Sequence, residues 1–114
     1  MITSMPVESV ILTEWNIVCV TTNGGDYGEV FIGYSIQNSI GRVSTKILDF
    51  DPIAGLGATT SGSRYRVLGE PGVPHPDAIY VLEEMFGDSE LVRKELFSND
   101  GSGKLQFKYA ISDL

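Results

Sequence analysis

Glu8-Ser9-Val10-Ile11-Leu12-Thr13-Glu14-Trp15-Asn16-Ile17-Val18-Cys19-Val20-Thr21 is the stretch on which the fold turns. It is rich in β-branched and aromatic residues and free of Gly and Pro, the composition of a strand. Its two faces do not separate cleanly. Ile11, Trp15, Ile17 and Cys19 fall on one face, yet Val10, Leu12, Val18 and Val20 make the other apolar as well, and Glu14 and Asn16 interrupt it. Two arrangements satisfy this pattern: a strand buried at both ends, or a bulge near Glu14 that resets the register.

Downstream, Asn23-Gly24-Gly25-Asp26 is a turn signal leading into a second strand over about 28–37, with Val30, Ile32, Tyr34 and Ile36 on one face. Asn38-Ser39-Ile40-Gly41 turns into a third strand from Arg42 to Phe50, with Val43, Thr45 and Ile47 expected to point inward. Ser61-Gly62 joins two further short strands, and Arg64-Tyr65-Arg66-Val67 alternates with period two. Glu70 to Pro76 holds three prolines, which remove donors and fix φ, so neither helix nor central strand fits there. Pro76 and Asp77 suit the start of a helix whose apolar residues are Ala78, Ile79, Leu82, Met85 and Phe86, and Gly87 stops it. Asp88 or Ser89 caps a second short helix through Phe97, and Lys104 to Ile111 reads as a last strand. The expected architecture is α+β and mostly β: a small antiparallel barrel or strongly twisted sheet of about six strands. Two short helices fall between the fifth and last strands.

The 114 residues fit one domain over 1–114, and an apolar fraction of 42% suffices for one core. The single cysteine, Cys19, cannot form an internal disulfide and reads as a reduced, buried small hydrophobe. Glu8 and Glu14 break the N-terminal apolar run, and no Lys or Arg precedes Arg42, so the basic start of a signal peptide is missing. No apolar run approaches the roughly 20 residues of a membrane span. A cytoplasmic location is expected. The net charge of −7 disfavours general nucleic-acid binding by long-range repulsion.

Charge is distributed in blocks. Residues 42–66 carry Arg42, Lys46, Arg64 and Arg66 against Asp49 and Asp51, whereas residues 67–92 carry six acids and no base. Arg42 and Lys46 share one strand face and Arg64 and Arg66 another, so neighbouring strands would gather four cations. The plain alternative is a solvated face whose charges keep the sheet soluble. Glu83, Glu84, Asp88 and Glu90 form an acidic stretch able to steer a basic partner, or simply a solvated helix face.

No cofactor or metal is expected. Gly55-Leu56-Gly57-Ala58-Thr59-Thr60 half-matches a dinucleotide fingerprint, but a strand follows it rather than the helix that phosphate binding requires. The segment Phe97 to Phe107 resembles the calcium loop of the EF-hand family. With Gly103 at the required glycine, however, Ser98 and Tyr109 occupy positions that demand carboxylates. One His and one Cys cannot supply a zinc site. His75, between prolines, fits a loop or capping role better than catalysis, and Gly-x-Ser-x-Gly does not occur.

What remains is contact surface. The leading expectation is a small acidic, non-enzymatic protein that recognises another protein, of the inhibitor, immunity or anti-defence kind, through Arg42, Lys46, Arg64, Arg66, Glu83, Glu84, Asp88 and Glu90. Two other readings compete with it. One is a β-barrel that binds a small ligand or acts as an enzyme, using Trp15, Tyr34, Tyr65 and His75. The other is a structural subunit of a homo-oligomer assembled through strand edges.

Overall fold

The computed structural model describes residues 9–22, 24–97 and 104–111. Five strands run in sequence, β1 (Ser9–Thr21), β2 (Tyr27–Ser35), β3 (Ile40–Asp51), β4 (Leu56–Thr59) and β5 (Arg64–Val67). Helices α1 (Pro76–Phe86) and α2 (Ser89–Leu96) follow, and a short strand β6 (Leu105–Phe107) comes last. The mostly-β order expected from the sequence is the one observed.

The first five strands form a meander that closes into a ring, because β1 pairs with both β2 and β5. An up-and-down path of five strands leaves the fifth pointing the same way as the first. The closing pair β1–β5 is therefore parallel, and every other pairing in the sheet is antiparallel. That parallel closure is the one departure from an all-antiparallel sheet.

Closing so small a ring demands sharp curvature, which bulges supply. The register shifts between Thr13 and Asn16 on β1, between Val30 and Ile32 on the β2–β3 pair, and between Ile47 and Asp49 on β3. The first of these is the bulge expected near Glu14, which adopts φ 45°. Opposite it, Gly33 leaves the space the bulge needs: a Cβ there would lie 2.9 Å from that of Trp15.

The bulge explains the mixed faces of β1. Before it, Val10 and Leu12 point into the ring; after it, Trp15 and Ile17 do. Val18 and Val20 then face outward, toward the helices. The second shift acts likewise on β3, sending Val43 to the helices and Ile47 into the ring and leaving Thr45 exposed, so the shared inward face expected for these three does not exist.

Two cores result. Leu12, Trp15, Ile17, Phe31, Tyr65 and Val67 fill the ring. Phe31 stacks on Tyr65 at 5.1 Å and meets Phe50 edge-on at 5.3 Å. The second core lies between sheet and helices and joins Val18 and Ile32 to Ala78, Ile79, Leu82, Val92, Leu96 and Leu105. Each fully buried side chain of this size contributes roughly 1.5–3 kcal/mol of transfer free energy. α1 settles close on the sheet because Gly41 has no side chain; a Cβ there would lie 2.3 Å from Ala78 N.

Between β5 and β6 the free edge of β1 is taken by the proline-containing loop. Gly72 N donates to Trp15 O at 3.0 Å and His75 N to Glu14 O at 3.0 Å. Fully buried Asn16 locks this junction. Its Nδ2 donates to Gly72 O (2.9 Å) and Tyr109 O (3.0 Å), while its Oδ1 accepts from Ile17 N (2.7 Å) and Tyr109 N (3.2 Å).

Candidate interaction surface

The helix layer is well fastened at its start. His75 caps α1, its Nδ1 accepting from Asp77 N at 3.0 Å, and its ring stacks on Tyr34 at 4.4 Å. That is the capping role expected for a histidine between prolines. Gly87, in the left-handed region at φ 73°, ends α1 and donates to Glu83 O. Asp88 caps α2 by accepting from Leu91 N at 3.0 Å.

The layer is open at its far end. The sequence placed Met85 and Phe86 on the buried face of α1, together with Ala78, Ile79 and Leu82. The structure buries those three and leaves Met85 60% and Phe86 45% exposed. The physical reason is local: Gly87 stops α1 directly after Phe86, and the chain turns into α2 instead of covering the last turn. Phe86 stands between two apolar hollows that share Val20 and Thr22. One, of about 340 Å³, runs toward Leu91 and Leu105; the other, of about 290 Å³, runs toward Tyr27, Val43 and Met85. Together they make one groove along the end of the β1–β2 hairpin.

The acidic stretch divides around this groove. Glu83 is buried and makes a charge pair with Arg93, its Oε2 at 2.5 Å from Nε. Asp88 is committed to its cap. Glu84 and Glu90 are exposed, the first directly before Met85 and Phe86 and the second directly before Leu91 in sequence. Asp26 and Glu95 line the groove itself, beside Lys46 and Lys104.

The four cations are not gathered. Arg42 turns into the ring, where its Nε donates to Tyr65 Oη at 3.0 Å and its guanidinium lies 5.8 Å from the ring centroid. Lys46 belongs to the groove on the helix side. Arg64 and Arg66 alternate with the ring-filling Tyr65 and Val67, so they point outward from β5. β4 separates β5 from β3, which prevents the expected patch from forming.

The residues considered for a small-ligand pocket are also dispersed. Tyr65 is packed in the ring, Tyr34 and His75 stack on each other outside it, and Trp15 borders a cleft that none of the other three lines. This cleft, of about 470 Å³, lies at the ring's mouth between the 52–55 turn, Glu70 and Tyr109. Trp15 Nε1 is already committed to Gly69 O at 3.0 Å.

A separate polar group sits where β1, β2 and the chain after β6 converge. Lys108 Nζ reaches Glu29 at 3.0 Å and Tyr27 Oη donates to Glu29 at 2.8 Å. Burial alone would raise the Glu29 carboxyl, but the hydrogen bonds from Lys108 and Tyr27 outweigh it and hold it below its ordinary value. The hydrogen bond to Glu29 raises Lys108 against the opposing effect of burial. Contacts with the Cys19 thiol, then with Glu29, raise the Tyr27 phenol. Cys19 itself is half-buried rather than a core hydrophobe.

Among the described residues, no group of three His, Cys, Asp or Glu side chains is placed to hold a metal ion, and no helix is long and apolar enough to cross a membrane. The stretch Ser98–Gly103 of the calcium-loop resemblance lies outside the described residues. Sequence reasoning passed over Asn16 as an interruption of an apolar face; its signal was a polar residue within a strand otherwise built of hydrophobes. No protein-family model, no curated protein and no solved structure matches this chain.

Proposed function

We propose that this protein works by binding another protein through the groove around Phe86, without chemical turnover. The observation that carries this reading is the open end of the helix layer. There Met85, Phe86 and Leu91 stand exposed beside two adjoining apolar hollows, where an ordinary helix end would be covered or polar. Its charged lining is balanced, Asp26 and Glu95 against Lys46 and Lys104, and the negative charge comes from the chain as a whole, which carries −7. The complementary partner presents an apolar or aromatic anchor ringed by Lys and Arg, as nucleic-acid-handling proteins do. An inhibitor or immunity-type role follows from that complementarity, because an acidic protein competes for a surface built to hold phosphates.

The test is quantitative binding to a partner captured by the native protein. Phe86→Ser removes the anchor at a cost of about 1–2 kcal/mol in stability, since more than half of the residue is covered, and leaves the fold intact. Loss of at least roughly tenfold in affinity is expected for a central aromatic anchor, together with an association rate that falls as salt rises. Undiminished binding by a folded Phe86→Ser variant would end this reading.

A small-molecule reading rests on the mouth cleft, whose volume falls in the usual range for ligand sites. The packed interior of the ring weighs against a ligand deeper inside. A saturable change in Trp15 fluorescence with a small compound, unaffected by Phe86→Ser, is the result that would favour it.

A further inference from the structure

In a closed ring the inward-facing side chains converge, so the places where several of them meet a common space are its mouths. At the mouth where the β3–β4 turn approaches the chain after β5, the cleft of about 470 Å³ opens. Trp15, only 4% exposed, forms its floor, and Tyr109 packs against Trp15 edge to face with ring centroids 5.8 Å apart. The turn supplies Pro52 and Ile53, and the chain after β5 supplies Glu70 and Pro71. Ile53 is 97% exposed, yet the turn that presents it is fixed: Asp51 Oδ1 accepts from both Ile53 N (2.9 Å) and Ala54 N (3.1 Å).

Most of the donors in this lining are already spent. The two prolines have no N–H, and those of Ile53 and Ala54 serve Asp51. Gly55 N donates to Asp51 O (2.8 Å), Val67 N to Gly55 O (2.9 Å), Tyr109 N to Asn16 Oδ1 (3.2 Å) and Trp15 Nε1 to Gly69 O (3.0 Å). The charge is one-sided as well. Glu70 is the only ionisable acid or base in the lining, and its exposed carboxylate makes no ion pair among the described residues. The bases adjacent to the lining in sequence are directed elsewhere: Arg66 points outward from β5, and Lys108 is engaged with Glu29. What the cleft offers a ligand is therefore apolar wall plus a free acceptor of negative charge.

We infer that the cleft takes a small organic ammonium ion with a flat apolar body, the charged head on Glu70 and the body among Trp15, Tyr109, Pro52 and Ile53. This rests on the small-molecule reading of the cleft and is independent of the groove around Phe86. Ligand sites are commonly apolar cavities in which one or two polar groups fix orientation, and here the one such group is a carboxylate. An ammonium supplies the donors and the positive charge that the lining lacks. An anion of the same shape meets Glu70 as a like charge and approaches a chain that carries −7. A neutral alcohol of that shape gains the walls but not the charge. Aromatic and prolyl surfaces suit a planar ring, which packs against them at little entropic cost.

Trp15 is the chain's only tryptophan, so its fluorescence reports on the cleft directly. The full chain is titrated in low salt with three probes of one shape: phenethylamine, 2-phenylethanol and phenylacetate. Phenethylamine is expected to saturate with a Kd in roughly the millimolar range, as suits so small a ligand. It should bind roughly threefold to fivefold more tightly than 2-phenylethanol, the gain an exposed charge pair provides, and more tightly still than phenylacetate. Glu70→Gln removes the preference for the amine and leaves the alcohol unchanged. Ile53→Lys places a cation at the rim and weakens the amine more than the alcohol. Both positions are exposed, so unchanged melting temperatures confirm that the variants fold. Raising salt to about 500 mM shrinks the preference, and Phe86→Ser leaves it as it is. Equal binding of amine and alcohol, or a preference that survives Glu70→Gln, overturns this inference while the cleft stands as a ligand site. No saturable change with any probe overturns the inference and the small-molecule reading together.

Discussion

The space inside the ring and the space between sheet and helices are both filled from β1, yet they are built differently. The ring is aromatic and closed: Phe31, Tyr65, Phe50 and Trp15 arrive from four strands and pack edge to face or stacked. The helix layer is aliphatic, takes Ala78, Ile79 and Leu82 from a single helix, and remains open where α1 stops at Gly87. Residues far apart in sequence leave the ring no way to be half-formed, whereas the layer can end wherever a glycine ends its helix. An exposed phenylalanine is thus tolerated on one side of the sheet and would not be on the other.

That contrast is broken most severely at Phe31. Phe31→Ala removes the ring against which Phe50 and Tyr65 pack, at a cost of about 3–5 kcal/mol, a large share of a small domain's stability. Urea unfolding is expected to shift as one transition, with secondary structure and Trp15 fluorescence lost together. A variant that loses only its helices on the way to unfolding would show that the layer, not the ring, depends on Phe31.

The junction between the two cores is the next point of leverage. Asn16 satisfies two carbonyls and two N–H groups, from Gly72, Tyr109 and Ile17, in a site with no access to water. Asn16→Leu keeps the volume and orphans all four, each worth roughly 1 kcal/mol or more, so a loss of about 3 kcal/mol is expected in thermal or chemical melts. Faster amide exchange at Gly72 and Tyr109 than in the ring would accompany it. A near-neutral result would mean the proline-containing loop is held by its backbone bonds to β1 alone.

Most of the architecture was legible because it rests on local signals. The turns at Gly25 and Gly62, the proline at the start of α1, the stop at Gly87 and the cap at Asp88 each act within a few residues. Even the bulge at Glu14 announced itself as an apolar pattern that changed face. What was not legible depends on pairing over long distances. Nothing in the sequence says that β4 separates Arg64 and Arg66 from Arg42 and Lys46, or that Arg42 reaches Tyr65 across the ring. The acidic stretch misled for a different reason. Sequence shows the charges but not their duties, and Glu83 and Asp88 already serve Arg93 and the α2 N-terminus. Met85 and Phe86 matched helical periodicity, yet periodicity fixes a direction and says nothing about whether a neighbour waits there.

The smallest expected effect lies outside both cores, at the hairpin end where charge rather than packing ties the chain after β6 to β2. Glu29 titrates below its ordinary 4.5 in the folded protein, so its contribution is complete above that pH and is lost as pH falls through the lowered value. Lys108 and Tyr27 titrate above their ordinary 10.5 and 10.0, so their contributions are complete below those values and fade as pH rises through the raised ones. Stability should therefore be flat through neutrality and decline at both ends. The groups are largely solvated, which screens the pairs and limits each to a few tenths of a kcal/mol. Lys108→Met removes the partner that both lowers Glu29 and is raised by it. Melting temperatures of this variant and the wild type should diverge near neutrality and converge as pH falls through the lowered Glu29 value, and salt should shrink the gap. A difference that persists undiminished in acid would mean that Lys108 acts through the packing of its stem, and that this end of the sheet is held by apolar contact as the two cores are.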